Sequence, residues 1–224
     1  MAKLEIYKLP VGAIQQNCRI FVNVETKEAF VVDPGAQAQD IFNFISKNNL
    51  KVEAIILTHG HFDHIGGVEP LRKLLGDVKV IGPFAQDGYM FNKALARAQE
   101  FGFDDEVADF NQDPTKGDRF FEEGEVLTLA GQEYTVLFTP GHSPGHGVLV
   151  DKDNRIIIAG DLLFRGSVGR TDLEGSSFAD LEASLQNKVY PLEGDYTVLP
   201  GHGPDTTLER ERKLNPYVRA KEVA

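Results

Sequence analysis

Four apolar runs in this chain end within a few residues of a histidine or an aspartate set among glycines. Val52 to Leu57 leads to His59, Tyr134 to Phe138 to His142, Ile156 to Ala159 to Asp161, and Val198-Leu199 to His202. Short apolar runs bounded by turn formers read as strands buried on both faces. Gly60, Gly141, Gly160, Gly201 and Gly203 permit tight turns and close approach of backbone beside those polar residues. The repetition predicts that four strand ends meet at one place, with rigid strands beneath them.

The rest of the chain supplies strands and helices to surround that place. Leu4 to Leu9, Cys18 to Val22 and Phe30 to Asp33 read as short antiparallel strands, separated by Pro10, Gly12 and Asn17. Ile41, Phe42 and Ile45 fall at helical spacing within Ala38 to Asn48, and Val68 to Leu75 is a second helix before a strand at Val78 to Ile81. Between residues 84 and 125 the pattern weakens. Lys93 to Phe101 is the best helical candidate in that stretch, which reads as an insertion beside the site. Strands return at Val126 to Leu129 and Gly147 to Val150, with a helix at Phe178 to Leu185 and a short surface helix or ordered end at Leu208 to Lys213. Each sheet must bury an apolar face, so two β layers flanked by helices are expected, an α/β fold of four αββα layers. No low-complexity linker divides the halves, and residues 1–224 are expected to form a single domain.

Composition narrows the setting. The one cysteine, Cys18, has no internal partner and is expected to be a buried small side chain, which suits a reducing cytoplasm. Met1 to Ile6 lacks the basic and apolar regions of an export signal, and no run is long enough to span a bilayer. A net charge of −11 argues against nonspecific binding to nucleic acid or to an anionic membrane. The expected location is cytoplasmic, and the sequence does not specify an oligomeric state.

The chemistry concentrates in Thr58-His59-Gly60-His61-Phe62-Asp63-His64, directly after an apolar strand. Imidazole nitrogen and carboxylate oxygen are good ligands for Zn²⁺, Fe²⁺ or Mn²⁺, and close spacing makes a preformed chelate once the strand fixes it. With distant His142, Asp161 and His202, this stretch resembles the metallo-β-lactamase superfamily over nearly the whole chain. The resemblance implies an αββα sandwich with two divalent metal ions at one edge of the paired sheets, Zn²⁺ being the first choice. It implies His59, His61 and His142 as ligands of the first ion, Asp63, His64 and His202 as ligands of the second, and Asp161 as a bridge. The ions would supply a hydroxide nucleophile and polarise a carbonyl. Asp161 is then catalytic through its bridge, and Asp63 is expected to orient the hydroxide. His146, which has no metal role, is expected to support a ligand or to pack.

Thr139-Pro140-Gly141-His142-Ser143-Pro144-Gly145-His146 and Gly160-Asp161-Leu162-Leu163-Phe164 narrow the resemblance to glyoxalase II-like hydrolases of the compact bacterial type. These act on a small anionic thioester, typically S-lactoylglutathione. Arg170 resembles the basic residue that holds the substrate carboxylate, the competing reading being a surface ion pair with Asp172. Met90, Phe91 and Phe103 either line the pocket or close the core. Alternatives on the same scaffold are a mononuclear-iron persulfide dioxygenase, or a hydrolase of another ester or lactone. An exported β-lactamase, a nuclease with an extra domain and a flavodiiron protein each need parts not found in the sequence.

Overall fold

A computed structural model describes residues 3–76, 78–103 and 107–221. Met1 and Ala2 of the N-terminal segment, and a short part of the 84–125 stretch, lie outside the described residues. The first half builds a mixed sheet. Strands β1 (Leu4–Val11), β2 (Gln16–Asn23) and β3 (Glu28–Val32) form an antiparallel meander. Helix α1 (Ala38–Lys47) then crosses over to β4 (Lys51–Ile56), parallel to β3. Helices α2 (Phe62–Ile65) and α3 (Val68–Leu75) lead to β5 (Lys79–Ile81), parallel to β4, giving the order β1-β2-β3-β4-β5. Parallel neighbours need such crossovers, and the helices cover the outer face.

The 84–125 stretch folds as an irregular 3₁₀ segment, Ala85–Lys93, followed by α4 (Ala94–Glu100). Lys93, at φ −127°, lies outside helical geometry, so the α-helix starts one residue later than the sequence pattern suggests. The second half repeats the style of the first. Strands β6 (Val126–Leu129), β7 (Gln132–Phe138), β8 (Gly147–Asp151) and β9 (Ile156–Gly160) are antiparallel. A two-residue-per-strand hairpin, β10 (Leu163–Phe164) and β11 (Ser167–Val168), precedes α5 (Phe178–Ser184), which runs into one π-helical turn at Leu185–Val189. Strand β12 (Thr197–Pro200) lies parallel to β9, and β13 (Thr206–Thr207) and α6 (Leu208–Leu214) follow.

Alternation along the strands sorts side chains into three apolar layers. On β2, Ile20 and Val22 face Ile41, Ile45 and Leu71 of the helices, whereas Phe21 points between the sheets. Phe21 and Phe30 stack at 4.6 Å, and Tyr134 from the second sheet meets Phe30 edge-on at 5.2 Å. Val148, Val150 and Ile157 face Leu181, Leu185 and Leu208 on the far side. Each fully buried side chain of this size stabilises the fold by roughly 1.5–3 kcal/mol, and the three layers make the expected αββα sandwich. Cys18 is wholly buried in the first outer layer, where burial pushes its thiol pKa up. No helix among the described residues is long and apolar enough to cross a membrane.

Candidate metal centre

The loop after β4 is held open by carboxylates that belong to other elements. Asp33, just past β3, accepts from the Thr58 N–H at 2.8 Å and from the Thr58 hydroxyl at 2.7 Å, while its Oδ2 lies 2.9 Å from His64 Nδ1. Asp87, from the 84–125 stretch, accepts from the Gly60 N–H at 2.8 Å, the Ser143 hydroxyl at 2.7 Å and the Gly145 N–H at 2.5 Å. One buried carboxylate therefore ties the loop after β4 to the loop after β7. Gly201, after β12, must be glycine: a Cβ there would stand 2.2 Å from Asp161 Oδ1 and 2.6 Å from His64 Cε1.

These supports bring all seven sequence-predicted ligand residues together. Donor atoms of His59, His61 and His142 lie within 4.8 Å of one another, as do those of Asp63, His64 and His202, and a third set of His59, His64 and Asp161 joins the two. His61 Nδ1 is 2.9 Å from His142 Nε2, and His202 Nε2 is 3.0 Å from Asp63 Oδ2. The Asp161 carboxylate stands between the groups. Its Oδ1 is 3.4 Å from His64 Nε2, and its Oδ2 is 3.5 Å from His142 Nε2 and 3.7 Å from His202 Nε2.

Whether the donor set fits a metal is decided by its orphans. His59 Nε2, His64 Nε2 and Asp161 Oδ1 are buried and make no hydrogen bond. Buried polar atoms normally find partners, and a buried unsatisfied one costs about 1–3 kcal/mol. Three such atoms on neighbouring residues of nitrogen and oxygen type fit divalent cations. The charges agree. Burial holds His59 neutral and pushes His61 down to about 3, helped by the other imidazoles. Burial also opposes charge on His64, yet Asp63, Asp161 and Asp33 outweigh it and raise its pKa. Burial opposes charge on Asp161 and Asp63 too, but the facing histidines hold both carboxylates ionised.

His146 is fully buried behind the candidate ligands. Its Nε2 accepts the backbone N–H of Asp161 at 3.1 Å, and its Nδ1 is 3.0 Å from the Thr139 hydroxyl. Arg170 sits on the pocket rim, with its guanidinium forked onto Asp172 at 2.7 and 2.8 Å. That is the ion pair weighed against a substrate contact. Its backbone carbonyl does something the sequence does not announce, accepting from His142 Nδ1 at 2.9 Å and so fixing the ring with Nε2 toward the centre. Sequence reasoning passed over Asp33, Asp87 and Asn17. Asn17 Nδ2 donates to the carbonyls of Pro200 and Gly203, bracketing His202 from the first sheet. Asp33 carried a usable signal, because it follows a strand end just as the ligands do.

Beside the centre opens a pocket of about 680 Å³. Its walls include Asp63, Asp161 and His202 at the centre, together with Met90, Phe101 and Phe103 of the 84–125 stretch. Met90 and Phe103 thus line the pocket, whereas Phe91 is buried in the outer core.

An αββα sandwich carrying clustered histidines and aspartates at its strand ends defines a metal-dependent hydrolase. The match to the family model of the metallo-beta-lactamase superfamily spans residues 11–202, and the chain belongs to that superfamily. It is 35% identical to the hydroxyacylglutathione hydrolase GloC of Haemophilus influenzae, covering 97% of this chain and 100% of the relative. Among solved structures it is similar to TTHA1623 in a di-iron-bound form, with a TM-score of 0.82, 36% identity, and 95% and 100% of the two chains covered. It is also similar to the BLEG-1 B3 metallo-beta-lactamase, with a TM-score of 0.85, 32% identity, and 96% and 99% covered.

Proposed function

We propose that this centre hydrolyses a small anionic thioester, S-lactoylglutathione or another S-acyl thiol, with two divalent ions. His59, His61 and His142 would hold one ion, Asp63, His64 and His202 the other, and Asp161 both. The observation that carries this reading is the Asp161 carboxylate, within 3.7 Å of histidines from both triads. Similarity to a hydroxyacylglutathione hydrolase over 97% of the chain supports the thioester. Zn²⁺ is the first candidate, and the mixed nitrogen and oxygen donors also suit Fe²⁺ and Mn²⁺. When bound, such ions acidify water and act as Lewis acids toward a carbonyl oxygen.

The chain's own residues supply placement. Asp63, partly open to the pocket, would orient the attacking water, while His146 fixes the backbone of Asp161 from behind. The apolar wall of Met90, Phe101 and Phe103 would exclude bulk water from the reacting carbonyl, and the thiolate product needs no proton to leave. Arg170 would take a substrate carboxylate by exchanging Asp172 for it, two parallel hydrogen bonds for two.

Steady-state assays of the metal-reconstituted protein on thioesters, lactones, phosphoesters and a β-lactam test this reading. S-lactoylglutathione or a close thioester should lead the panel, and preference for any other class would overturn it. A mononuclear-iron persulfide dioxygenase is the second reading, using two histidines and an aspartate. It leaves the Asp63, His64 and His202 group without a task, and oxygen consumption with a persulfide would favour it.

A further inference from the structure

Among the described residues, the pocket wall formed by residues 89–103 carries a cation with no acidic partner. Lys93, just before α4, Arg97 within it and Phe101, just after it, recur at four-residue intervals and line the pocket, while Ala98 is wholly buried. Arg97 is taken by Glu100 at 2.5 Å, and Arg170 is forked onto Asp172. Lys93 has no ion pair among the described residues. Its Nζ rests 5.4 Å from the centre of the Tyr89 ring, itself part of the wall. The remaining acidic wall residue away from the centre, Glu174, forms no ion pair with it among the described residues.

The three cations therefore differ in what an incoming anion must displace. Arg170 and Arg97 must each release a carboxylate, whereas Lys93, among the described residues, gives up an aromatic contact to Tyr89. The chain as a whole carries −11, so an anionic molecule is repelled at long range and needs a local positive charge in the cleft. An ammonium on a flexible stem recognises a carboxylate as a point charge without demanding one approach direction.

We propose that Lys93, backed by Tyr89, is a specificity-determining residue that binds a carboxylate of the thiol portion of the substrate. The pocket is thereby selective for thioesters of carboxylate-bearing thiols over neutral ones. This rests on the thioester reading above and adds a residue to it. Phe101 and Met90, which line the same pocket, would cover the aliphatic part of the same thiol.

Calorimetric binding of S-methylglutathione, a thioether that cannot be hydrolysed, tests the contact apart from turnover. The metal-loaded protein should bind it with an affinity that falls as salt rises, Lys93→Ala should weaken binding roughly 10-fold, and Lys93→Arg should restore most of it. The dimethyl ester of the same thioether should bind the wild type and Lys93→Ala alike. In assays, Lys93→Ala should raise KM for S-lactoylglutathione by a similar factor, leaving kcat and the hydrolysis of a neutral N-acetylcysteamine thioester unchanged. Equal weakening of the thioether and its diester, or no weakening of either, would overturn the role of Lys93. Intact Lys93-dependent binding with no hydrolysis of any thioester would uphold the contact and overturn the reaction instead.

Discussion

His146 Nε2 accepts the backbone N–H of Asp161, so the residue whose carboxylate stands between the two triads is gripped from behind by a histidine that belongs to neither. The same ring is fixed on its other side by Thr139, and the whole contact is out of water. Removing His146 frees the Asp161 backbone but leaves its carboxylate. Losing an outer partner of this kind costs about 10–100-fold in affinity or activity. His146→Ala should fall in that range at matched metal occupancy, and Asp161→Ala should fall further. Equal losses in kcat/KM would contradict the ranking.

Asp87 is expected to matter as much for stability as for chemistry. It has no exposed surface and accepts from Gly60, Gly145 and Ser143. Asp87→Ala would strand three donors, each costing about 1–3 kcal/mol when buried and unsatisfied. A drop in unfolding free energy of about 3 kcal/mol or more, with weaker metal retention, is expected from denaturant titration and elemental analysis. Unchanged stability would show that the two loops are held by other contacts.

The outcome at Asp87 marks where the sequence stopped being readable. His59, His142, Asp161 and His202 were legible as candidates because each follows an apolar strand, a local pattern that survives without knowledge of contacts, whereas the full candidate ligand set came from the family resemblance. Asp87 bonds to Gly145, 58 residues away, from a stretch with no periodicity, so nothing local distinguishes it from a solvated aspartate. The hairpin of Leu163–Phe164 and Ser167–Val168 is too short to show alternation. Phe91 and Met90 are neighbours with opposite fates, one in the core and one at the pocket, which hydrophobicity alone cannot tell apart in a stretch without a clear period.

Metal loading should be pH-dependent in a definite direction. In the metal-free protein the His64 pKa is raised by Asp63, Asp161 and Asp33 against the cost of burial, and His202 is raised by its bond to Asp63, again against burial. A histidine raised on folding contributes stability that is complete below its unfolded value of about 6.5 and lost as pH climbs through the folded value. A metal must displace those same protons. The gain in Tm on adding Zn²⁺ should therefore widen as pH rises from roughly 6 to 8. A gain independent of pH would mean that His64 and His202 are not titrated by the metal.

The central claim is that the two triads hold separate ions and that Asp161 serves both. Titration of the metal-free protein with Zn²⁺, followed by elemental analysis after removal of excess, tests it most directly. Two equivalents per chain are expected, with a separation of about 3.5 Å by anomalous diffraction. His202→Ala should lose one of them, and Asp161→Ala should weaken both. Saturation at one equivalent, unaffected by His202→Ala and accompanied by full activity, would contradict the account.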